Sequence, residues 1–360
     1  MVVMELHGSG IVQYTTLLAD TLSKIIHVTM IVPEDSDYPF LPSSLRVIKL
    51  PMGSTKSNFI KNTLNFEHII NFLETILAEE PDIVHFRNPY AVWSAPVLPF
   101  MRQHHGIISG LPDGQFLPWQ LRPDIVLSRK LHIKYSHSIT VECEYDKALV
   151  RLQGIKKPCF VIPHGVNTLY DQYSKPGIEE ANQILFFGGL PNEYKGLPYL
   201  LRAIPMINRA LPELKIVVAG SGNVSGFEHL IANCKNLEII NRFIPHRHVP
   251  ELFQRSAAII VPYVWRVNSG IIPLAYSFRK PVVATTVLSD MVDPEVTGLI
   301  VPPRDESALA QAIIRIMKDE ELRQQMRYGI EQYVKNNMNW DVIGKQALKT
   351  YEFTAALLHR

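Results

Sequence analysis

The sequence has little that would bind nucleic acid, hold a metal through cysteine or cross a membrane. Its 36 basic and 34 acidic side chains nearly cancel, whereas a nucleic-acid-binding protein carries a clustered basic excess. Its three cysteines, Cys143, Cys159 and Cys234, are far apart and form no CxxC pair, which argues against a disulfide framework or a cysteine metal site. No apolar run approaches the roughly 20 residues of a transmembrane helix.

The beginning of the sequence, MVVMEL, has no basic segment of the kind that starts a signal peptide. Few and odd-numbered cysteines suit a reducing compartment. We therefore expect a cytoplasmic protein without a nucleic-acid partner. Peripheral contact with the inner face of a membrane stays open.

What the sequence does contain is short β-rich apolar runs that alternate with amphipathic stretches, and this pattern predicts βαβ units with parallel sheets. Seven strands are expected in the first half, from Val2–Leu6 to Phe160–Ile162. Six follow in the second half, from Ile184–Phe187 to Leu299–Val301. The last helix is expected near Trp340–Leu357.

Periodicity is lost around Asn167–Ala181, and a chain of 360 residues fits two domains. We expect an N-terminal domain over 1–170, a C-terminal domain over 171–340 and a final helix over 341–360. The predicted fold class is α/β, with two doubly wound Rossmann-like domains. Ligands of such domains bind beyond the carboxyl ends of the strands, so the loops after strands are the candidate sites.

The first candidate loop follows the strand that ends at Phe187. Gly188 and Gly189 permit close backbone approach, and Lys195 adds a charge at the start of a helix. Together they predict an anion site. A tight turn with a solvated lysine is the alternative.

Two further loops give weaker signals. Gly220 begins a Gly-Ser-Gly turn after a strand, but Ser225 stands where a dinucleotide fingerprint needs its last glycine. This argues against a nicotinamide cofactor. Asn241–Pro245 is predicted to form a rigid shelf after another strand, and an ordinary strand end with a turn is the alternative.

The fourth loop gives the strongest signal. Asn268 or Ser269 can cap the following helix, and Gly270 lets a ligand approach its first amides, including those of Ile271 and Ile272. An ordinary capped helix needs no ligand. Four anion-compatible loops on one face nevertheless favour a diphosphate site.

These loops closely resemble the donor domain of family 4 retaining glycosyltransferases. The matching stretches are FFGGLPNEYKGLPYLLRAI, LPELKIVVAGSGN, NRFIPHRHVPELFQRSAAIIVPY, NSGIIPLAYSFRKPVVAT and EVTGLIVPPRDESALAQAI. The first half matches more loosely, through GSGIVQYTTLLADTL, EEPDIVHFRNPY and VIPHGVNT. The resemblance implies the GT-B fold, with two domains facing a central cleft and a C-terminal helix that returns to the N-terminal domain.

The same resemblance implies a hexosyltransferase-type enzyme (EC 2.4) with a nucleotide sugar as substrate and with no metal and no cofactor. Lys195 would bind the donor phosphates, and the amides of 269–272 would cradle the diphosphate. Phe243 and Ile244 would flank the base. Three residues would line the opposite side of the cleft, namely Gly8, Ser9 and Gly10.

The sequence departs from the family pattern at several positions. Gly189 stands where the family usually has an arginine, and Arg266 and Leu274 stand where it has paired glutamates. Arg266 could supply the missing cation from the other side, although a surface arginine is the alternative. Asp290 lies near a position that the resemblance assigns to sugar contact.

In the first half, Asp113 is the catalytic candidate, because a carboxylate there could orient the sugar or accept the acceptor's hydroxyl proton. An ordinary Pro-Asp-Gly turn is the alternative. His85 and Asn88 follow a strand and are predicted to line the acceptor side. His164, typical of the family, is assigned a hinge or packing role.

Three functions remain open at this point. The first is a metal-independent retaining glycosyltransferase that uses a nucleotide sugar and a glycan, lipid-linked or small-molecule acceptor. The second is a weak or inactive homologue that binds a nucleotide sugar or partners another transferase. The third is a GT-B nucleotide-sugar epimerase, which would need more acids and bases than the sequence offers.

Overall fold

The structure is a computed structural model that describes residues 2–4, 10–34, 40–51, 65–87, 92–117, 120–178, 180–190 and 193–358. The chain folds into two compact units. Unit 1 comprises Met1–Gly165 and Asn339–Arg360, and unit 2 comprises Val166–Met338.

Unit 1 is a parallel sheet with helices. Its described elements are β1 (Val2–Met4), α1 (Gly10–Ser23), β2 (Thr29–Pro33), β3 (Arg46–Leu50), α2 (Phe66–Glu79), β4 (Ile83–Phe86), α3 (Leu98–His104), β5 (Gly106–Gly110), α4 (Pro123–Tyr135), β6 (Ser138–Val141), α5 (Glu144–Leu152) and β7 (Cys159–Val161). The strand order is β3-β2-β1-β4-β5-β6-β7, with every pair parallel.

Unit 2 repeats this plan. Its described elements are β8 (Gln183–Phe187), α6 (Leu197–Ala210), β9 (Lys215–Gly220), α7 (Glu228–Ile231), β10 (Leu237–Asn241), α8 (Val249–Arg255), β11 (Ala258–Val261), α9 (Ile271–Ser277), β12 (Val282–Thr285), β13 (Gly298–Val301), α10 (Glu306–Lys318) and α11 (Glu320–Asn337). The strand order is β10-β9-β8-β11-β12-β13, again all parallel.

The local sequence explains why these elements form. Strands β11 and β12 read AIIV and VVAT and are buried throughout, as expected of parallel strands covered on both faces. Helix α10 begins where the Asp305 carboxylate accepts from the Ala308 amide at 2.8 Å, and Asp319 caps α11 in the same way. Capping thus separates two helices that would otherwise form one continuous run.

The last helix, α12 (Trp340–Ala356), belongs to unit 1. Gly344 lies so close to Thr21 of α1 that an added Cβ would stand 2.7 Å from a methyl carbon. Thr354 donates to Ser138 of β6 at 2.7 Å. The chain therefore completes unit 1 after it has built unit 2.

The predicted fold class is confirmed: the protein is α/β, with two doubly wound parallel sheets. Each predicted strand has a counterpart, displaced by at most a few residues. The sequence pattern did not indicate α11, because its apolar residues are few and its surface is dominated by Glu, Gln, Arg and Asn. Among the described residues, no helix is both long and apolar enough to cross a bilayer.

Candidate functional site

The predicted donor loops of unit 2 meet at one edge of its sheet. Strand order reverses between β8 and β11, and such a switch point opens a crevice at the carboxyl ends of the strands. The loops that follow β8, β9 and β11 all begin at this edge. The structure therefore brings the Gly188, Gly220 and Asn268 segments to one place.

Lys195 is the buried cation of this edge. Its side chain is only 8% exposed, and a Cβ added at Gly188 would stand 2.1 Å from its Nζ. Gly188 has φ +130°, a conformation that suits glycine. Burial lowers the pKa of Lys195 to about 8. The ammonium thus lies directly against bare backbone at the end of β8.

Glycines lock the three loops together. A Cβ at Gly196 would stand 1.9 Å from the carbonyl oxygen of Pro262, and one at Gly220 would stand 1.9 Å from that of Gly188. The Gly188 amide donates to the Ala219 carbonyl at 2.9 Å. Because no larger residue fits at these contacts, the loops can touch through their backbones and hold Lys195 in place.

The turn that leads into α9 is hydrogen-bonded to the loop that contains Lys195. The Val264 amide donates to the Tyr194 carbonyl at 2.8 Å. Ser269 is buried; its hydroxyl accepts from the Ile271 amide at 3.3 Å and donates to the Tyr263 hydroxyl at 3.4 Å. Gly270 immediately precedes α9 with helical dihedrals. The Ser269–Ile272 segment is therefore held beside the Lys195 loop by side-chain and backbone bonds.

Arg266 is bonded within the same turn. Its guanidinium donates to the Asp290 carboxylate at 2.7 Å and to the Asn268 side chain at 3.1 Å. The arginine side chain is 11% exposed, so it is not a free surface arginine. The structure thus joins three of the predicted donor residues in one polar group.

The predicted base shelf has one exposed and one buried residue. Phe243 is 66% exposed, whereas Ile244 is buried. The Phe243 ring contacts His246 edge-on, with centroids 5.9 Å apart. Nearby, the Asn241 side chain accepts from the Gly222 amide at 3.1 Å and so connects the shelf to the β9 loop.

In unit 1, Asp113 lies in a turn fixed by its neighbours. Arg129 is fully buried and donates to the carbonyls of Asp113 and Gly114 at 3.4 and 2.9 Å. The Gly114 amide donates to the Asp146 carboxylate at 3.1 Å. The half-buried Asp113 carboxylate accepts from Gln120 at 3.4 Å. The turn is therefore ordered, and its carboxylate is partly accessible.

Glu142 is a candidate site residue of unit 1 that the sequence analysis did not identify. It pairs with Arg87 at 3.1 Å, and both side chains are almost fully buried. Burial is the main cause that raises the pKa of Glu142 to about 7; the charge of Arg87 opposes it, and the nearby Asp113 and Asp146 carboxylates add to it. Position in the sequence could have indicated this pair. Arg87 and Glu142 come directly after β4 and β6, where the ligand sites of parallel sheets lie.

Burial lowers the pKa of both predicted histidines, His85 and His164, so their rings are neutral. His85 has no exposed surface, and its ring nitrogens lie 2.9 Å from the Tyr351 hydroxyl and 3.2 Å from that of Thr140. It therefore packs inside unit 1 and does not line an open face. His164 contacts Tyr14 edge-on at 5.1 Å, and burial lowers its pKa to about 4.

The remaining predicted residues are placed as follows. Gly189 is half-buried beside Gly188. Gly10 is exposed at the start of α1. Gly8, Ser9 and Asn88 lie outside the described residues. Within those residues, no group of three or more His, Cys, Asp or Glu side chains is arranged to hold a metal ion.

Solved structures share this architecture over nearly the whole chain. Sucrose-phosphate synthase from Thermosynechococcus elongatus matches with a TM-score of 0.75 at 20% identity, covering 99% of both chains. HepE from Anabaena, in complex with UDP and glucose, matches with a TM-score of 0.76 at 15% identity, covering 98% of this chain and 99% of that one. The fold is that of the GT-B glycosyltransferases.

Family models cover both units. The model described as Glycosyltransferase Family 4 matches residues 8–169, and the one described as Glycosyl transferases group 1 matches residues 181–319. The chain belongs to the family 4 glycosyltransferases, which confirms the resemblance read from its loops.

A relative from Methanocaldococcus jannaschii, described as an uncharacterised glycosyltransferase, is 26% identical over 192 residues. The match covers 51% of this chain and 48% of the relative. The chain therefore spans just under half the length of this relative.

Proposed function

We propose that this protein transfers a sugar from a nucleotide-diphosphate sugar to an acceptor hydroxyl, with retention of anomeric configuration and without a metal ion. The observation that carries the proposal is the buried Lys195 ammonium against Gly188, at the switch point of unit 2. The donor half of this proposal rests on unit 2 and the acceptor half on unit 1.

Charge supports an anionic ligand at Lys195. Among the described residues, no carboxylate forms an ion pair with it. A buried cation without a counter-charge is costly, and a bound anion removes that cost. Gly188 carries no side chain, and this leaves the space that the Lys195 ammonium occupies against the backbone. A diphosphate fits this combination of a fixed cation and bare backbone.

The turn before α9 would complete the diphosphate site. Backbone amides of Ser269, Gly270, Ile271 and Ile272 are the proposed donors to the phosphate oxygens, because the first amides of a helix have no backbone partners within it. The Ile271 amide would exchange its 3.3 Å contact with the Ser269 hydroxyl for a phosphate oxygen. Arg266 lies in the same turn and adds a second cation, partly offset by Asp290. Fixed cations and amides aimed at the leaving diphosphate would stabilise the charge that develops there, which is the task a metal ion performs in other transferases.

The donor's nucleotide is proposed to rest on the shelf that follows β10. The exposed ring of Phe243 offers a stacking surface, with buried Ile244 beneath the turn. Gly220 and Gly222 leave Ser221 as the one side chain of the neighbouring Gly-Ser-Gly turn. HepE, which shares the fold, has been crystallised with UDP-glucose, and this supports a nucleotide sugar as the ligand of this edge.

For unit 1 we propose that Asp113 orients the reacting sugar or the acceptor hydroxyl. Its carboxylate is held by an ordered turn and is partly accessible. Glu142 and Arg87, buried behind the same strand ends, would fix the charge around it. The acceptor is proposed to be a glycan, a lipid-linked sugar or a small molecule, with the protein cytoplasmic.

A second candidate is a homologue that binds the nucleotide sugar but turns over weakly. Two observations favour it. Gly189 supplies no cation, and Leu274 is buried in α9 at a position to which the family resemblance assigns a ribose-binding glutamate. Both readings share the same donor site, so donor binding does not separate them.

Turnover separates them. The protein is incubated with UDP-, ADP-, GDP- and dTDP-sugars, alone and with candidate acceptors, and released nucleotide is measured; the anomeric configuration of any product is determined by NMR. Acceptor-stimulated release with retained configuration is the expected result. Binding without release would favour the second candidate, and inverted configuration would refute the retaining assignment.

A further inference from the structure

Unit 2 has a second cleft, whose lining residues are absent from the proposed donor site. It lies between α11 and the segment 293–296 that precedes β13, and its volume is about 460 Å³. We call it the α11 cleft, with its walls formed by Asp293, Gln325, Tyr328, Gln332, Tyr333 and Asn336.

Helical spacing produces one wall of this cleft. Gln325, Tyr328, Gln332 and Asn336 recur at intervals of three and four residues, so they form one ridge along α11. Asn336 lies eleven positions after Gln325, a rise of about 16 Å along the helix axis. The ridge is therefore longer than a single sugar ring and would accommodate several.

The opposite wall is held rigidly. The Thr297 hydroxyl accepts from the Asp293 amide at 2.9 Å and from the Tyr276 hydroxyl at 2.8 Å. Gly329 forms the floor, where a Cβ would stand 2.3 Å from the carbonyl oxygen of Val296. Rigidity of this kind limits the ordering that a ligand would have to impose.

The lining chemistry selects one class of ligand. None of the residues that line the cleft is Lys, Arg or His, and Asp293 has no ion-pair partner among the described residues, so an anionic ligand would be repelled. Tyr328 is 65% exposed and offers an apolar ring face beside a polar hydroxyl. Carboxamides donate and accept at once, which matches neighbouring sugar hydroxyls.

The polar side chains of the cleft are also available. Within the described part of the chain, the side chains of Asp293, Gln332 and Asn336 have no hydrogen-bond partner. Glu295, by contrast, is occupied by Arg315 through two bonds of 2.8 and 2.7 Å. The cleft therefore presents free donors and acceptors next to one exposed aromatic ring.

We propose that the α11 cleft binds a neutral oligosaccharide. This binding is separate from donor recognition and does not rest on the transferase reaction. A site of this kind would hold a glycan chain on the enzyme's surface while the reaction proceeds elsewhere in the molecule.

The test uses the full chain and saturation-transfer NMR. The probes are maltohexaose, cellohexaose and laminarihexaose, with an oligogalacturonate of the same length as the charged comparison. Saturation transfer to a neutral probe is expected, and the dissociation constant is then measured by calorimetry. Transfer to none of the neutral probes, or to the oligogalacturonate alone, would overturn the proposal.

Variants assign the binding to the cleft. Tyr328→Ala and Gln332→Ala should each raise the dissociation constant of the oligosaccharide about tenfold, which is the loss of one good contact. The controls are Gln324→Ala, at an exposed position on α11 outside the cleft, and Tyr145→Ala, at an exposed position on α5. Equal binding by all four variants, or a loss shared by the controls, would refute the assignment.

Discussion

The ammonium of Lys195 occupies the space that a side chain at Gly188 would fill. This places a buried cation on bare backbone at the point where strand order reverses in unit 2. Neither residue alone would define a site, because a helix-start lysine and a glycine turn are both common. Their contact makes the pair an anion-binding arrangement.

Replacing Gly188 by alanine should therefore weaken the binding of nucleotide diphosphate as well as strain the local backbone. The new Cβ would displace the Lys195 ammonium, so we expect binding of nucleotide diphosphate to fall by about tenfold or more. Gly177→Ala is the control, since Gly177 also has positive φ but no heavy atom within 4 Å of an added Cβ. Gly177→Ala should lose about 1 kcal/mol in the free energy of unfolding, and Gly188→Ala should lose more, because its φ of +130° suits only glycine and its new Cβ meets Lys195. Only Gly188→Ala should lose binding by calorimetry; equal binding losses would contradict this.

Arg266 should contribute to donor binding as well. Its guanidinium is largely buried and is held by Asp290 and Asn268 beside the proposed diphosphate. We expect Arg266→Ala to raise the donor dissociation constant about tenfold, the loss of one charge-assisted contact. Arg279→Ala is the control: it removes an arginine that is also ion-paired but is 69% exposed, and it should leave the donor dissociation constant unchanged. An unchanged constant in Arg266→Ala would remove it from the site.

Asp113 provides the sharpest test for unit 1. Asp113→Asn keeps the shape of the side chain and the turn but removes the negative charge. Turnover should fall by about 100-fold, the lower range for loss of a proton-accepting group, with donor binding unchanged. Asp171→Asn is the control at an exposed carboxylate of unit 2. Normal turnover by Asp113→Asn would show that the Pro-Asp-Gly segment is only a turn.

Acid stability should depend on His132. Its ring is fully buried between the Ser94 and Ser109 hydroxyls, each 3.0 Å away, and burial lowers its pKa from 6.5 to about 3. Between these values the unfolded chain binds a proton that the folded chain does not. The free energy of unfolding therefore falls as the pH falls, by about 2 kcal/mol between pH 7.5 and pH 5 from this group.

Urea unfolding at the two pH values measures this contribution. His132→Gln should be less stable at pH 7.5 but should lose about 2 kcal/mol less than wild type on acidification. The matched change at exposed His229 should leave the wild-type difference intact. If His132→Gln and wild type lose equal stability, the buried neutral state of His132 is refuted.

Much of this architecture could be predicted because buried parallel strands have a distinctive sequence pattern. Runs such as AIIV and VVAT are apolar throughout, since both faces of the sheet are covered. Helix α11 gave no such signal, because it is mostly polar and buries only a narrow stripe that includes Met326 and Ile330. Its N-cap, Asp319, was visible only once the helix was known.

The candidate site could be predicted in part for similar reasons. Glycines and a lysine after a strand carry a local signal, so the sequence alone indicates Gly188, Gly220 and Lys195 as candidates. The pair of Arg87 and Glu142 was not, because it joins residues 55 positions apart. His85 was predicted to line the acceptor side; its ring is buried, and its bond to Tyr351 depends on the last helix returning to unit 1.

The most direct test of the proposed donor site is to measure nucleotide binding at Lys195 as a function of pH. Calorimetry compares wild type with Lys195→Ala, Lys195→Arg and the exposed-site control Lys215→Ala. Burial holds the pKa of Lys195 near 8, so its charge is present below that pH and is lost above it.

Wild type and Lys215→Ala should therefore bind a nucleotide diphosphate at pH 7 and bind it more weakly at pH 9.5, with Lys195→Arg less sensitive to pH. Lys195→Ala should bind at least about tenfold more weakly at pH 7. Equal binding by wild type and Lys195→Ala, or no binding of any nucleotide diphosphate by wild type, would contradict the proposed donor site.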